Sequence, residues 1–237
     1  MFDQTLCDLG VDTIDGDLYY IPSDVLESQI TPIQSLITHT EGATLLSVEA
    51  CPDENWNAVW EAEHPAQELP LGVRIIPHCA FGAGHHETTS MMIENLINHS
   101  SHISNHTSVL DHGTGTGVLA IFAKKLGAGQ VMAVDIDEKS VANAKENAAL
   151  NSVEIDVRLG STPPEEHFDL ILANIHRNIL LANMAAYARC LNTDGQLWLS
   201  GFYEEDCAVL QAAAEKEGLH LTDKHAKEEW RMLQLSK

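Results

Sequence analysis

Apolar residues recur along this chain in two rhythms, short unbroken runs and spaced stripes. Where the two alternate, strands and helices are expected in turn. The alternation is clearest in the C-terminal two thirds. Gly72 to Ile76 reads as a strand, and Glu87-Thr88-Thr89 opens an amphipathic helix ending near Ile97. Val109 begins a further strand, Val118 to Leu126 a helix, and Gln130 to Asp135 a buried strand ending in an acid. Asp137 is the expected N-cap of a helix over Glu138 to Asn147. Glu154 to Leu159 alternates as a third strand of this series, Phe168 to Ala173 is an almost continuous apolar fourth, and Gly195 to Leu199 is a fifth. Helices are expected at Ile179 to Leu191 and Glu205 to Glu217. Strands alternating with helices imply a mainly parallel sheet with helices on its faces, an α/β fold.

The beginning of the chain is patterned differently. Asp3 to Leu9 reads as helical, Leu18 to Ile21 as a short strand, Ser23 to Thr38 as a helix disturbed by Pro32, and Thr44 to Glu49 as another strand. So few elements make a thin core. Residues 1–53 are therefore expected to form a small N-terminal α+β domain, and 72–237 the large one. Between them, Asn55 to Glu63 places Trp56 and Trp60 on one helical face, and Pro65 and Pro70 then break the chain, so 54–71 reads as a connecting helix and linker.

The most informative stretch is Val109 to Gly117, V-L-D-H-G-T-G-T-G. A strand runs into an acid, a loop with glycine at every second position follows, and a helix begins. That is the opening unit of a doubly wound domain, whose bare backbone at a helix N-terminus accepts a flat or anionic cofactor. Asp135 ends the next strand 18 residues after Gly117, where a carboxylate can accept both hydroxyls of a ribose. Asn174, directly after the fourth strand, lies at the carboxyl end of the sheet and can face the reactive end of such a cofactor.

Composition narrows the class. The chain has 237 residues, 44% of them hydrophobic, with no apolar run long enough to cross a bilayer and no basic-then-apolar leader at Met1. Neither a membrane association nor export is expected. Five cysteines (Cys7, Cys51, Cys79, Cys190 and Cys207) without C-x-x-C spacing argue against a zinc or disulfide framework, and a reducing cytoplasm fits them. Thirteen basic against thirty-five acidic residues give a formal charge of −22, which disfavours direct nucleic acid binding and can steer a basic protein partner.

A second loop, Pro77 to Thr89 (P-H-C-A-F-G-A-G-H-H-E-T-T), has glycines and small residues around Phe81, so its backbone can approach a ligand. Its His85 and His86, with His78 or His112, invite a metal reading. Adjacent histidines cannot share one ion from a regular helix, and no His-x-x-x-His or carboxylate spacing supports them, so no metal site is expected.

Taken in order, A-F-G-A-G-H-H-E-T-T, L-D-H-G-T-G-T-G-V-L-A-I-F-A-K-K-L-G-A, V-D-I-D, L-A-N-I and a late E-E-W resemble the ribosomal protein L11 methyltransferase (PrmA) family from about Asn55 onward. The resemblance implies a class I S-adenosylmethionine-dependent methyltransferase, Rossmann-like, with a seven-stranded sheet. It adds two strands, near His220 to Leu221 and Trp230 to Leu235, the last one antiparallel. It implies S-adenosyl-L-methionine as cofactor and amino groups of a basic ribosomal protein, L11 of the large subunit, as acceptor. By the same resemblance Thr89 contacts the cofactor from the preceding loop, Gly113 and Gly115 from the turn beside its amino acid end, Asp135 at the ribose and Asn174 near the methyl group. Phe81 walls the substrate side, and Ser161 neighbours the adenine.

Methyl transfer from a sulfonium demands alignment and a neutral amine more than side-chain chemistry, so no general base is assigned. Three features depart from the family pattern: Ala83 replaces a usual threonine, the N-terminal unit is short, and the stretch Pro65 to Pro77 is compressed. They keep open a different basic protein as acceptor and a non-enzymatic S-adenosylmethionine-binding module. A nicotinamide oxidoreductase is disfavoured by D-x-G-x-G-x-G and by the lack of a hydride-transfer acid.

Overall fold

The computed structural model describes residues 12–15, 18–20, 31–37, 66–78 and 86–237. The chain divides into two compact units, Met1–Asn55 and Trp56–Lys237. In the first, strands β1 (Asp12–Asp15) and β2 (Leu18–Tyr20) pair antiparallel, and helix α1 spans 31–37 with Pro32 in its first turn, where no intrahelical N–H is lost. β2 coincides with an expected strand, whereas β1 was not legible in D-T-I-D. The stretches expected at Asp3 to Leu9, Thr44 to Glu49 and Asn55 to Glu63 lie outside the described residues.

Among the described residues the second unit opens with a hairpin of β3 (Gln67–Leu69) and β4 (Val73–Ile75) around a 3-10 turn at Pro70–Gly72. Helix α2 (Glu87–Asn98) follows. Then come β5 (Ser108–His112), α3 (Val118–Lys125), β6 (Gln130–Asp135), α4 (Glu138–Leu150) and β7 (Asp156–Leu159). β8 (Phe168–Asn174), α5 (Arg177–Cys190), β9 (Leu191–Tyr203), α6 (Cys207–Lys216), β10 (His220–Lys227) and β11 (Trp230–Ser236) complete the unit. The seven-stranded sheet has the order β10-β11-β9-β8-β5-β6-β7, parallel except for β11, which is antiparallel to both neighbours. β9 begins four residues before the expected strand: Leu191 already pairs with Phe168, and N-T-D-G, which reads as a turn, is an irregularity inside the strand, with Asp194 at φ 63°, before pairing with β8 resumes at Gln196.

Strand residues alternate between two cores. Val109, Val131, Ala133, Leu170 and Leu172 join α2, α3 and α4 on one face, and Leu110, Met132, Val134, Ile171 and Ala173 join α5 and α6 on the other. Burial on both faces is why these strands read as continuous apolar runs. β5 has β6 on one side and β8 on the other, reached by crossovers of opposite sense, and the strand order reverses there. In an open α/β sheet the ligand crevice lies outside the carboxyl ends of the strands at that reversal.

A row of asparagines on α4 ties β4 and the segment after it to the sheet domain. Asn151 exchanges two hydrogen bonds with the Arg74 backbone at 2.8 and 2.6 Å, and Asn147 two with Ile76 at 2.8 and 3.1 Å. Asn143 accepts from His78 N at 3.3 Å and donates to Ile76 O at 2.9 Å. Four helical residues advance about 6.0 Å, and two extended residues advance about 6.6 Å. The amides at every fourth helical position therefore mimic a neighbouring strand. Asn147 also donates to Thr116 O at 2.9 Å, tying the row to the glycine turn.

Candidate active site

The site is built on the carboxyl ends of β5, β6, β7 and β8. After His112 the chain turns sharply: Gly113 N and Thr114 N both donate to Val134 O of β6, at 2.8 and 3.1 Å, and Gly117 N closes the turn on Thr114 O at 2.9 Å. Asp111 braces the turn from below. Its Oδ2 accepts from the Thr114 hydroxyl at 2.6 Å and from Ala120 N at 3.2 Å, so one buried carboxyl joins strand, turn and helix α3. Burial pushes its pKa up to about 6, against the opposing hydrogen bonds from Thr114 and Ala120.

Asp135 stands where the sequence places it, at the end of β6 and half-buried. It accepts from Gly115 N at 2.8 Å through Oδ2 and from Asp137 N at 3.0 Å through Oδ1. Each carboxylate oxygen retains capacity for a further donor. The predicted cap is present one turn on, with Asp137 accepting from Lys139 N and Ser140 N, both at 3.2 Å.

Thr89 and Asn174, 85 residues apart in sequence, meet: Asn174 Nδ2 donates to Thr89 Oγ1 at 3.1 Å. Thr89 is 3% exposed and lies in the first turn of α2, not in the loop before it. The helix starts at Glu87, as the sequence predicts, and His86 caps it, its Nδ1 accepting from Thr88 N at 3.4 Å. Gly113 approaches the same corner from β5. A Cβ added there would fall 2.2 Å from Ile175 Cγ2, and the residue sits at φ +76°, so glycine is required on both counts. Three of the expected contacts thus converge: Thr89 and Asn174 share a hydrogen bond, and Gly113 packs on the residue after Asn174. Gly115 joins Asp135 beside them. Phe81 and Ala83 lie outside the described residues.

Of the histidines weighed as metal ligands, His85 lies outside the described residues, and His86, His78 and His112 each have a side-chain partner. His112 is buried with its Nδ1 2.7 Å from the Tyr187 hydroxyl. Its burial lowers the pKa, against a hydrogen bond with the Ser161 backbone, and so favours the neutral ring. His78 pairs with Glu146 at 2.8 Å. Among the described residues no group of three or more His, Cys, Asp or Glu is arranged to hold a metal ion.

Two members of the site escape a reading by pattern. Ile136 and Leu159 are 73% and 54% exposed, and they lie at the ends of adjacent strands where Asp135 pairs with Leu159. Large apolar side chains left in water beside a carboxylate make a platform for a planar base. Their one signal was placement: each falls at or just past the carboxyl end of its strand, where the core period no longer applies.

The crevice thus combines a carboxylate at a strand end, a turn of bare backbone and an apolar platform. This is the donor and surface set an adenosine cofactor requires, and the residues present fit it. A model of the ribosomal protein L11 methyltransferase (PrmA) family matches residues 54–237. The chain belongs to this family. A Porphyromonas gingivalis ribosomal protein L11 methyltransferase is 43% identical over 212 residues, covering 80% of this chain and 72% of its own. That of Bacteroides thetaiotaomicron is 37% identical over 209 residues, 79% of this chain and 73% of its own. A crystal structure of ribosomal protein L11 methylase from Lactobacillus delbrueckii subsp. bulgaricus is 34% identical, with TM-score 0.61, and covers 65% of this chain and 80% of its own. A Pyrococcus furiosus methyltransferase at 18% identity and TM-score 0.57 shares the fold.

Proposed function

We propose that this PrmA-family protein transfers methyl groups from S-adenosyl-L-methionine to lysine side chains, the N-terminal amine, or both, of ribosomal protein L11. The observation that carries the reading is the convergence of Thr89, Gly113 and Asn174 at one corner, with Asp135 joined to the same glycine turn through Gly115. Family membership supplies the substrate class, and the formal charge of −22 favours a basic protein over nucleic acid as partner. A cytoplasmic setting follows from that acceptor; no helix among the described residues is long and apolar enough to cross a membrane.

Bound S-adenosylmethionine would supply a methyl group already activated on a sulfonium. Asp135 would hold the ribose hydroxyls, with Ile136 and Leu159 against the adenine. Gly113 and Gly115 would offer backbone to the amino acid end, and Thr89, by fixing the Asn174 amide, would leave Asn174 Oδ1 to accept a hydrogen from the incoming amine. Such a bond orients the amine lone pair, and the transfer is then mainly a matter of alignment at near-attack distance. The amine must arrive neutral, and a neighbouring positive charge favours that form.

Replacing Asp135 with alanine is expected to weaken S-adenosylmethionine binding by about 1–3 kcal/mol, the cost of hydrogen-bond partners lost or left unmade. Calorimetry on folded wild-type and variant protein measures it, with transfer of labelled methyl groups to L11 falling in parallel at subsaturating cofactor. Unchanged affinity would remove Asp135 from the ribose.

A further inference from the structure

The turn that carries Asn174 is held from three sides. Gly113 is one; Gly201 is the second, where an added Cβ would lie 2.7 Å from Ile175 O with φ at +94°. Between them Ile175 N donates to Ser200 O at 3.2 Å. These contacts fix Ile175, yet the chain then passes into α5 through His176, whose side chain makes no capping hydrogen bond. The third hold is Arg177. Its Nη1 donates to Asp206 Oδ1 at 2.6 Å, while Asp206 Oδ2 accepts from Tyr203 N at 3.2 Å.

The pair is asymmetric. The Asp206 side chain is 9% exposed and that of Arg177 46%. Burial alone would raise the Asp206 pKa, but the hydrogen bonds from Arg177 and Tyr203 N outweigh it and hold the carboxyl below its usual range. Asp206 thus joins two segments, the end of β9 through Tyr203 and, through Arg177, the start of α5 directly after the turn that follows β8. An ion pair with one exposed partner adds little to global stability. Its consequence is local.

We propose that Arg177 is a positioning residue for the transfer: by clasping Asp206 it fixes the turn after β8 and so sets Asn174 against the acceptor amine. This rests on the function proposed above. Misplacement of an aligned group by about 1 Å can cost up to roughly 10²-fold in rate, and a turn still held by Gly113 and Gly201 would lose part of that.

Arg177→Ala is expected to lower kcat about tenfold at saturating cofactor and L11, with little change in S-adenosylmethionine Kd, in KM for L11 or in melting temperature. Arg177→Lys should restore most of the loss. Asp206→Asn should reproduce it, and the double variant should be no worse than either single one, as for two halves of one contact. Hydrogen exchange of the backbone over 174–178 should quicken in Arg177→Ala while the rest of the sheet is unaltered. Unchanged kcat, a loss confined to KM for L11, or additive losses in the double variant would overturn the proposal. Should the wild-type protein transfer no methyl group to L11, the functional reading fails on its own. The clasp is then decided by exchange, and unaltered exchange over 174–178 overturns it.

Discussion

Replacing Asn174 by alanine is expected to lower kcat by roughly 10²–10³-fold, the loss seen when one preorganised hydrogen-bonding group is removed from a reacting centre. The expectation follows from what the amide already does. Nδ2 is committed to Thr89 Oγ1, so the side chain is fixed before any ligand arrives and Oδ1 bears no hydrogen bond among the described residues. Fixing in advance is what makes such a group effective, because no reorganisation is needed at the moment of transfer. Affinity for S-adenosylmethionine should change far less, since Asp135 and the glycine turn are untouched. Single-turnover rates beside calorimetric Kd values separate the two effects. Equal losses in rate and affinity would make Asn174 an ordinary contact to the cofactor.

Gly113→Ala is the second large effect, expected in stability as well as in turnover. The added methyl meets Ile175 Cγ2 at 2.2 Å, and a β-carbon is disfavoured at φ +76°. Backbone strain and overpacking of this kind together cost about 2–5 kcal/mol. Because Ile175 follows Asn174 directly, any movement that relieves the clash also shifts the amide, and kcat should fall with stability. Denaturant unfolding measures the first and steady-state kinetics the second. Shortening the obstacle, with Ile175→Ala added to Gly113→Ala, should recover part of the lost stability. A Gly113→Ala protein as stable as wild type would show that the turn does not need glycine there.

The sheet domain was legible because its strands are covered on both faces. Q-V-M-A-V-D and F-D-L-I-L-A are runs that only a doubly covered strand tolerates, and both fall within the observed β6 and β8. Asp135 and Asn174 were legible for a related reason, as the first polar residues after such runs. Other features depend on pairing across the chain. Nothing local marks Asn143, Asn147 and Asn151 as a ladder, since asparagine on a helix also reads as a solvated face; the spacing acquires meaning once the extended residues 74–78 lie alongside. Arg177 and Asp206 are 29 residues apart, and the charges alone do not single out that pair. β3 escaped notice because a three-residue strand, Q-E-L, is too short to show a period.

Intact-mass spectrometry of ribosomal protein L11 tests the central claim most directly. L11 would be purified from the same organism's cells lacking this enzyme, so that its amines are free, and incubated with this protein and S-adenosylmethionine. The account predicts mass steps of whole methyl groups, lost when Asn174 is alanine. An L11 mass that stays unchanged, with cofactor binding confirmed separately on the same preparation, would contradict it.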